Sequence, residues 1–177
     1  KYKLRERIII LFAGIKGDAK GAIDLLLAVD MLYKTDPEYI LVTIGTDTLE
    51  WRDAKKKVNK NCLLDFNYKK GKEKEVFFAS CDIFCMASKS EAFGLVYLEA
   101  WHKKKPVIAA NIPAVREFID KDGVFVEFGN KKQIIEAIMG LVTNKNMARS
   151  LGKKGNRKLI NTYTFSKVFP KYIAMFS

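Results

Sequence analysis

The sequence is poor in the residues on which metal sites and disulfide frameworks depend. His102 is the only histidine among 177 residues, which excludes a His-rich metal site, and the sequence has no acidic metal-binding cluster. The three cysteines, at positions 62, 81 and 85, form no CxxC pair and lie in or beside apolar stretches. Such cysteines are typical of small core residues in a reducing compartment. We therefore expect no metal and no cofactor, and we interpret His102 as a cation at a helix C-terminus.

Long apolar runs are also missing, and acidic residues are scarce. No run approaches the roughly 20 residues that a membrane span requires. Lys and Arg number 32 against 20 Asp and Glu, and the net charge of +12 favours an anionic partner such as phosphate, nucleic acid or a membrane surface. Since 49% of the residues are hydrophobic and 29% charged, a disordered or fibrous class is excluded.

The length suits one domain with a single core. No internal repeat, linker or low-complexity tract divides the chain, so residues 1–177 are predicted to form one domain. The sequence begins KYKLRER without an initiator methionine. We therefore expect it to be a piece of a longer protein.

Short apolar, β-branched segments alternate with amphipathic ones. Such segments are typical of parallel strands buried on both faces, and we predict strands at 8–14, 39–45, 62–66, 82–87, 106–110 and 123–128. Helices are predicted from residue 22 with Asp18 as N-cap, at 49–60, at 71–80, from Gly94, from Asn130 with a capping box to Gln133, at 145–161 and from Ser166. The alternation predicts an α/β fold: a Rossmann-like, doubly wound, mostly parallel six-stranded sheet with helices on both faces.

Two loops at the carboxyl ends of predicted strands are candidates for a ligand site. The first is GIKGDAKG, residues 14–21, whose glycines permit a close backbone approach. It matches neither GxGxxG nor the Walker sequence. The loop is therefore open to two interpretations: a tight strand-to-helix turn, or a phosphate loop in which Lys20 supplies the positive charge.

The second candidate loop is SKSEAFG, residues 88–94. A helix that begins near Gly94 forms an anion site, with free backbone amides at Phe93, Gly94, Leu95 and Val96. Glu99 follows five residues later, roughly 7 Å along the helix, an offset that matches the separation of a diphosphate from the hydroxyls of its ribose. Glu91 lies on the other side of the phosphates. The spacing alone also allows Glu99 to be an exposed residue on the helix surface.

The motif SEAFGLVYLEA, residues 90–100, resembles the E-x7-E signature of retaining glycosyltransferases of the GT-B fold, in family four (glycosyl transferases group 1). FAGIKGDAKGAIDLLLA resembles the strand, phosphate loop and helix of that family, and PVIAANIPAVREFI resembles the segment after the signature. The ending, SLGKKGNRKLINTYTFSKVFPKYIAMF, is similar to the C-terminal helices. The resemblance extends in order from about residue 8 to 176. It implies the second of two Rossmann-like domains, which binds the nucleotide-sugar donor.

The resemblance assigns roles by position. By this assignment Glu99 binds the ribose hydroxyls and Lys20 binds the diphosphate. Glu91 is the catalytic residue and contacts the donor sugar. The other donor-binding residues that it implies are Gly14, Lys16, Phe93, Gly94, Leu95 and Val96. Two positions depart from the family: Ile15 replaces an arginine that pairs with the lysine on the diphosphate, and Ala92 replaces the glycine of E-G-F-G.

The implied activity is retaining transfer of a hexose, with mannose among the candidates, from a nucleoside diphosphate to a glycan or lipid-linked acceptor. In the family the acceptor site lies largely in an N-terminal domain that this sequence does not include. We therefore expect the chain to bind the donor but not to catalyse sugar transfer by itself. A GT-B sugar-nucleotide epimerase, or a non-catalytic nucleotide-sugar-binding relative, is the alternative.

A nucleic-acid partner is not expected, because the basic residues are spread out and no recognition motif is present. The predicted helix at 145–161 carries a basic stripe made of Lys145, Arg149, Lys153, Lys154, Arg157 and Lys158. Such a stripe is typical of a solvated helix face, and it also suits peripheral contact with an anionic membrane surface. We expect a cytoplasmic protein, with a peripheral position at the cytoplasmic membrane face as the alternative.

Overall fold

Six strands alternate with helices along residues 6–173, the part of the chain that the computed structural model describes. The strands are β1 (Ile8–Ala13), β2 (Tyr39–Ile44), β3 (Leu63–Phe66), β4 (Ile83–Met86), β5 (Val107–Ala110) and β6 (Val124–Val126). All six predicted strands are confirmed, because each observed strand lies within its predicted range.

The helices are α1 (Ala22–Thr35), α2 (Leu49–Ala54), α3 (Gly71–Ser80), α4 (Leu95–His102), α5 (Pro113–Ile119), α6 (Lys131–Thr143), α7 (Lys145–Lys158) and α8 (Phe165–Ile173). A π-helical turn, Leu159–Tyr163, joins α7 to α8. Within residues 6–173, no helix combines the length and the apolar character needed to cross a membrane.

The sheet is wholly parallel, with strand order β3-β2-β1-β4-β5-β6. The order runs outward from β1 in one direction and then resumes from β4 in the other, so the topology switches between these two neighbours. Right-handed crossovers therefore place helices on both faces: α1 packs with α6, and α4 packs with α3 and α7. In such a sheet the carboxyl ends of the strands at the switch form a crevice, which is where ligands bind.

The central strands form the core because helices cover both of their faces. Ile10, Leu11 and Phe12 of β1 are completely buried, and all of β2, β4 and β5 is buried. Each fully buried side chain of this kind contributes about 1.5–3 kcal/mol by its removal from water. Continuous apolar runs are thus explained by burial on two sides, as the sequence predicted.

Three helical details differ from the sequence predictions. Asp18 was predicted to cap α1, but it starts a short 3₁₀ turn at Asp18–Lys20, and Gly21 is the N-cap. Helix α2 ends at Ala54 instead of continuing to residue 60, and the following backbone is held by Asp30, whose carboxylate accepts from the Asn59 amide at 2.8 Å. Helix α5 was not predicted; it begins with a proline at its first turn, which is a favoured helix start.

Helix α7 lies directly on α4 through glycines. A methyl group on Gly152 would be 2.0 Å from the carbonyl oxygen of Lys104, and one on Gly155 would be 2.1 Å from the Trp101 indole nitrogen. Asn156 on α7 also donates to the carbonyl of Trp101 at 2.9 Å, which satisfies a group at the end of α4. These contacts fix the helix that carries the second candidate site loop.

We predict that Gly152→Ala destabilises the fold. The added methyl meets backbone that cannot move without displacing α4 from α7, and overpacking of this kind costs about 1–3 kcal/mol. Gly140→Ala in α6 is the matched control, because a methyl there meets nothing within 4 Å. The control should be neutral or more stable by up to about 1 kcal/mol. Urea unfolding measures both, and equal stability of the two variants would contradict the packing described.

Candidate functional site

The loops that follow β1 and β4 touch each other at the topological switch. Gly21 has a φ of 70°, and a Cβ there would lie 2.3 Å from the carbonyl oxygen of Ala87. The Lys89 amide donates to the carbonyl of Ala19 at 2.9 Å, so the two loops also share a backbone hydrogen bond. Only glycine permits this approach. The contact brings together the two loops that the sequence singled out.

Lys20 and Glu91, one from each loop, form an ion pair. The ammonium of Lys20 lies 2.8 Å from Oε2 of Glu91. The Glu91 side chain is only 14% exposed and that of Lys20 is 33% exposed. An ammonium group has three hydrogens to donate, so Lys20 can keep this contact and still donate to an anion. The predicted phosphate cation and the predicted catalytic carboxylate are therefore neighbours.

Helix α4 begins at the same place with unused donors. Gly94 is its N-cap, in the left-handed conformation with φ 71°. Within the described residues, no protein acceptor is bonded to the backbone amides of Phe93, Gly94, Leu95 or Val96. The backbone of Ala92 has a negative φ, so the turn accepts alanine where the family has glycine. The geometry is that of an anion site at a helix N-terminus.

Glu99 lies on α4 and is held by a residue of α3. The Lys74 ammonium is 2.6 Å from both oxygens of the Glu99 carboxylate, but it hydrogen-bonds only Oε1. Oε2 is buried, and the Lys74 ammonium is its charged contact among the described residues. The Ser88 hydroxyl, in the loop after β4, is buried without a partner among them. Buried polar atoms are almost always satisfied, and this hydroxyl belongs to the second site loop.

A cleft of about 250 Å³ opens at the carboxyl ends of β1 and β2. Exposed Ile15 and Tyr68 lie along its walls together with Val96 of α4 and Lys74 of α3. A larger cleft, of about 520 Å³, lies at the amino ends of β1, β4 and β5, against Ile8. We place the site at the smaller cleft, because it adjoins the switch point and the free amides of α4.

Lys16 does not point into this crevice. Its side chain is completely buried, and its ammonium lies 2.6 Å from both Asp47 and Asp65 and donates to the carbonyl of Phe66 at 3.1 Å. The sequence placed Lys16 among the donor contacts, and the structure corrects this. A buried ammonium requires acidic partners. Asp47 follows β2 and Asp65 lies in β3, and both are too distant from Lys16 in sequence for the pairing to be predicted.

The same acids bind a second lysine and form a small network. Lys55 contacts Asp47 at 2.9 Å and Asp65 at 2.7 Å, and Asp65 also accepts from Thr43 and from the Trp51 indole. Burial by itself would raise the pKa of Asp65, but the donors from Lys16, Lys55, Thr43 and Trp51 lower that pKa to about 2. The network anchors the first site loop to β2 and β3.

Phe93 connects the second site loop to the C-terminal part of the described chain. Its ring centroid is 4.9 Å from that of Phe118 on α5 and 5.6 Å from that of Tyr163 in the π-helical turn. Phe118 also stacks on Trp101 of α4 at 5.2 Å. The predicted backbone donor is thus positioned by aromatic packing of its side chain.

The structure brings together seven of the nine predicted site residues around the crevice: Gly14, Lys20, Glu91, Phe93, Gly94, Leu95 and Val96. Glu99 lies one helical turn further along α4, with Lys74 between it and the cleft. Sequence reasoning missed Lys74 and Tyr163. No local signal identifies either residue, because each acts through a partner 25 or more positions away.

Metal ligands are not grouped in this region. In the portion of the chain from residue 6 to 173, no three His, Cys, Asp or Glu residues come close enough to hold a metal ion. The site that the structure presents is therefore one of backbone amides, lysines and two carboxylates.

The sequence model of the family described as "Glycosyl transferases group 1" matches residues 1–158, so the chain belongs to this family. It is similar to the O-antigen biosynthesis glycosyltransferase WclY of Escherichia coli, with 33% identity over 100 residues, which cover 56% of this chain and 28% of that protein. The chain spans only part of the length of the curated relatives it matches: an alignment over 98% of this chain covers 49% of the spore coat protein SA of Bacillus subtilis.

Solved structures have the same fold, and one of them is a member of the family. The C-terminal domain of the group 1 glycosyl transferase LpcC from Francisella tularensis aligns with a TM-score of 0.75 at 26% identity, over 88% of this chain and 85% of that one. Anabaena HepE in complex with UDP aligns with a TM-score of 0.84 at 15% identity, over 98% of this chain and 49% of that one. The fold is thus that of a GT-B C-terminal domain, as the sequence resemblance implied.

We predict that acid weakens the fold through Asp65. Its pKa is about 2 in the folded chain and about 3.9 when unfolded. The stabilisation, about 2–3 kcal/mol, is therefore complete above pH 5 and is lost as the pH falls toward 2. Asp65→Asn removes this titration and leaves Asp47 as the acidic partner of the Lys16 ammonium among the described residues, so it should destabilise the fold by about 2–3 kcal/mol at pH 7.

The measurement is urea unfolding of both proteins between pH 7 and pH 3. The stability difference between wild type and Asp65→Asn should narrow as the pH drops. Asp53→Asn is the control, since Asp53 is a surface carboxylate paired with exposed Lys56, and its substitution should change little. A difference that stays constant with pH would show that Asp65 titrates normally.

Proposed function

We propose that the chain is the donor-binding domain of a retaining hexosyltransferase that uses a nucleoside-diphosphate sugar. The observation that carries this proposal is the meeting of the free amides of α4 with the Lys20–Glu91 pair at the switch point. Membership of the glycosyl transferases group 1 family supports it. So does the presence of UDP in the complex of HepE, a protein with this fold.

The diphosphate would bind at the start of α4. Backbone amides at Gly94 and Leu95 donate to its oxygens, the helix dipole favours its charge, and the Lys20 ammonium neutralises part of it. These donors are already in place before the bond to the sugar breaks. They would therefore stabilise the negative charge that develops on the departing diphosphate, as preorganised electrostatic catalysis requires.

The nucleoside would extend from the diphosphate toward Glu99 and the 250 Å³ cleft. The Glu99 carboxylate accepts hydrogen bonds from the ribose hydroxyls, and the base enters the cleft against Tyr68, a residue that is 68% exposed. Stacking of a flat base on this ring supplies affinity that does not depend on charge.

Glu91 would face the hexose on the other side of the diphosphate. Its carboxylate is largely buried and held by Lys20, so it has a fixed position from which to accept hydrogen bonds from sugar hydroxyls. A negative charge there also favours the positive charge that develops on the hexose as its bond to phosphate breaks. The proposal therefore assigns Glu91 the catalytic role and the described site no metal.

The acceptor would be a glycan or a lipid-linked sugar bound by a separate domain, because the chain spans only about half of a curated relative that it matches over nearly its whole length. A sugar-nucleotide epimerase would bind the same donor, and analysis of products with the complete protein separates the two. A non-catalytic relative is favoured only by Ile15, which lacks the charge that the family places there. Cytoplasmic location and contact with anionic membranes stay predictions.

We predict that nucleoside diphosphates bind this chain. The substitutions Lys20→Met and Glu99→Gln should each weaken that binding. Loss of a charged hydrogen-bond partner costs about 1.5–3 kcal/mol, or roughly 10- to 100-fold in Kd. Calorimetric titration with UDP, GDP and ADP, and with their glucose or mannose conjugates, measures this. Lys132→Met on α6 is the control, because Lys132 is 87% exposed and lies outside the site.

Three results would contradict the proposal. A folded wild-type chain that binds none of these nucleotides would remove its basis. Equal weakening by Lys20→Met and Lys132→Met would show that binding depends only on total charge. Binding that falls steeply with salt and is blocked by nucleic acid instead of by nucleoside diphosphates would support the nucleic-acid alternative.

We predict that Ile15→Arg tightens binding of the diphosphate by roughly tenfold, since a charged, bidentate donor is restored beside Lys20. Ile15 is exposed and lines the cleft, so the longer side chain has room. Ile160→Arg adds the same charge at an exposed position of the π-helical turn and should leave affinity unchanged. Equal affinity of Ile15→Arg and wild type would place the diphosphate away from this loop.

A further inference from the structure

Lys74 lies between the Glu99 carboxylate and the 250 Å³ cleft. It projects from α3, lines that cleft together with Val96, and also lines the neighbouring cleft that contains Glu99. Its ammonium is 2.6 Å from both Glu99 oxygens, and its side chain is 25% exposed. None of the roles considered above uses this lysine.

The orientation of the Glu99 carboxylate depends on Lys74. Among the described residues, Lys74 is the one cation within ion-pair distance of Glu99. The Glu99 side chain is 38% exposed, so without this contact it is free to turn toward water. Such a turn would remove the correctly placed acceptor that a hydroxyl pair needs, and hydrogen bonds to a charged acceptor are about twice as strong as neutral ones.

The pair also leaves acceptor capacity unused. A carboxylate has about four lone-pair sites. Lys74 hydrogen-bonds Oε1 and lies 2.6 Å from Oε2, and among the described residues no second donor bonds either oxygen. A diol could therefore donate to the remaining lone-pair sites of the carboxylate while Lys74 keeps its contact.

We propose that Lys74 is a positioning residue that holds the Glu99 carboxylate oriented for the two hydroxyls of a ribose. It thereby sets the preference of this site for ribonucleotides over deoxyribonucleotides. The inference rests on the proposed nucleotide-sugar site and adds to it a residue on another helix and a basis for sugar selectivity. Lys74 acts through Glu99 and not through the phosphates or the base.

The chain contains a matched control for this contact. Lys103, just after α4, pairs with Glu75 on α3 at 2.9 Å, so it links the same region of the two helices without touching Glu99. Lys103→Met and Lys74→Met each remove one such ion pair. Any effect that comes merely from loosening α3 against α4 should be common to both variants, whereas an effect through Glu99 belongs to Lys74→Met.

The experiment compares wild type, Lys74→Met, Lys74→Arg and Lys103→Met by calorimetric titration. The probes are UDP, GDP and ADP and the 2′,3′-dideoxy counterpart of whichever binds. Lys74→Met should weaken binding of the ribonucleoside diphosphate roughly 10- to 100-fold and leave the affinity for the dideoxy compound unchanged. The preference for ribose would then disappear. Lys74→Arg should restore the preference, and Lys103→Met should behave as wild type. A urea unfolding curve confirms that each variant is folded.

Several outcomes would overturn the inference. Tighter ribonucleotide binding by Lys74→Met would mean that the lysine competes with the ribose for Glu99. Equal weakening of both compounds would mean that Lys74 touches the phosphates or base, or only supports the fold. A wild type that binds ribo and dideoxy compounds equally would leave the diphosphate site standing but refute the role of Glu99 and Lys74. Failure of wild type to bind any of them would refute the proposed function itself.

Discussion

The close approach of Gly21 to the Ala87 carbonyl is the contact on which the site depends. The switch in strand order makes the loops after β1 and β4 neighbours, but it does not set their separation. A hydrogen in place of a side chain at Gly21 lets the loops touch, and this brings the Lys20 ammonium to the Glu91 carboxylate. The anion site at α4 and the charge from the first loop therefore share one backbone constraint.

The net charge of +12 gives little guidance to where an anion binds. Three lysines of the first site loop and α3 are already paired with acids: Lys20 with Glu91, Lys74 with Glu99, and Lys16 with Asp47 and Asp65. What stays uncommitted is the set of backbone amides at the start of α4. Affinity for a diphosphate would thus come from helix geometry first and from lysines second, and the general excess of basic residues on α7 is a separate property of the surface.

Local sequence patterns were sufficient to predict the fold. Strands that are buried on both faces appear in the sequence as continuous apolar runs, and each of the six strands does so. They also located the loop at 88–94, because a glycine before an apolar helix marks a free N-terminus. They failed where side chains meet across the fold. Lys16 was assigned to the ligand although it is buried against Asp65 in β3, and Lys74 was overlooked because Glu99 is 25 positions away. Helix α5 was not predicted because its seven residues form only about two turns, too few to show a helical periodicity of apolar residues.

The aromatic contact of Phe93 has a consequence for where the domain ends. The family match stops at residue 158, yet one of the rings that pack on Phe93 belongs to Tyr163, five positions later. A chain trimmed to the matched length would keep every strand, both lysines of the crevice and the whole of α7. It would also lack Tyr163, which packs on Phe93 in the loop whose amides face the crevice. The domain that holds this loop in place therefore extends past residue 158, where the match to the family model ends.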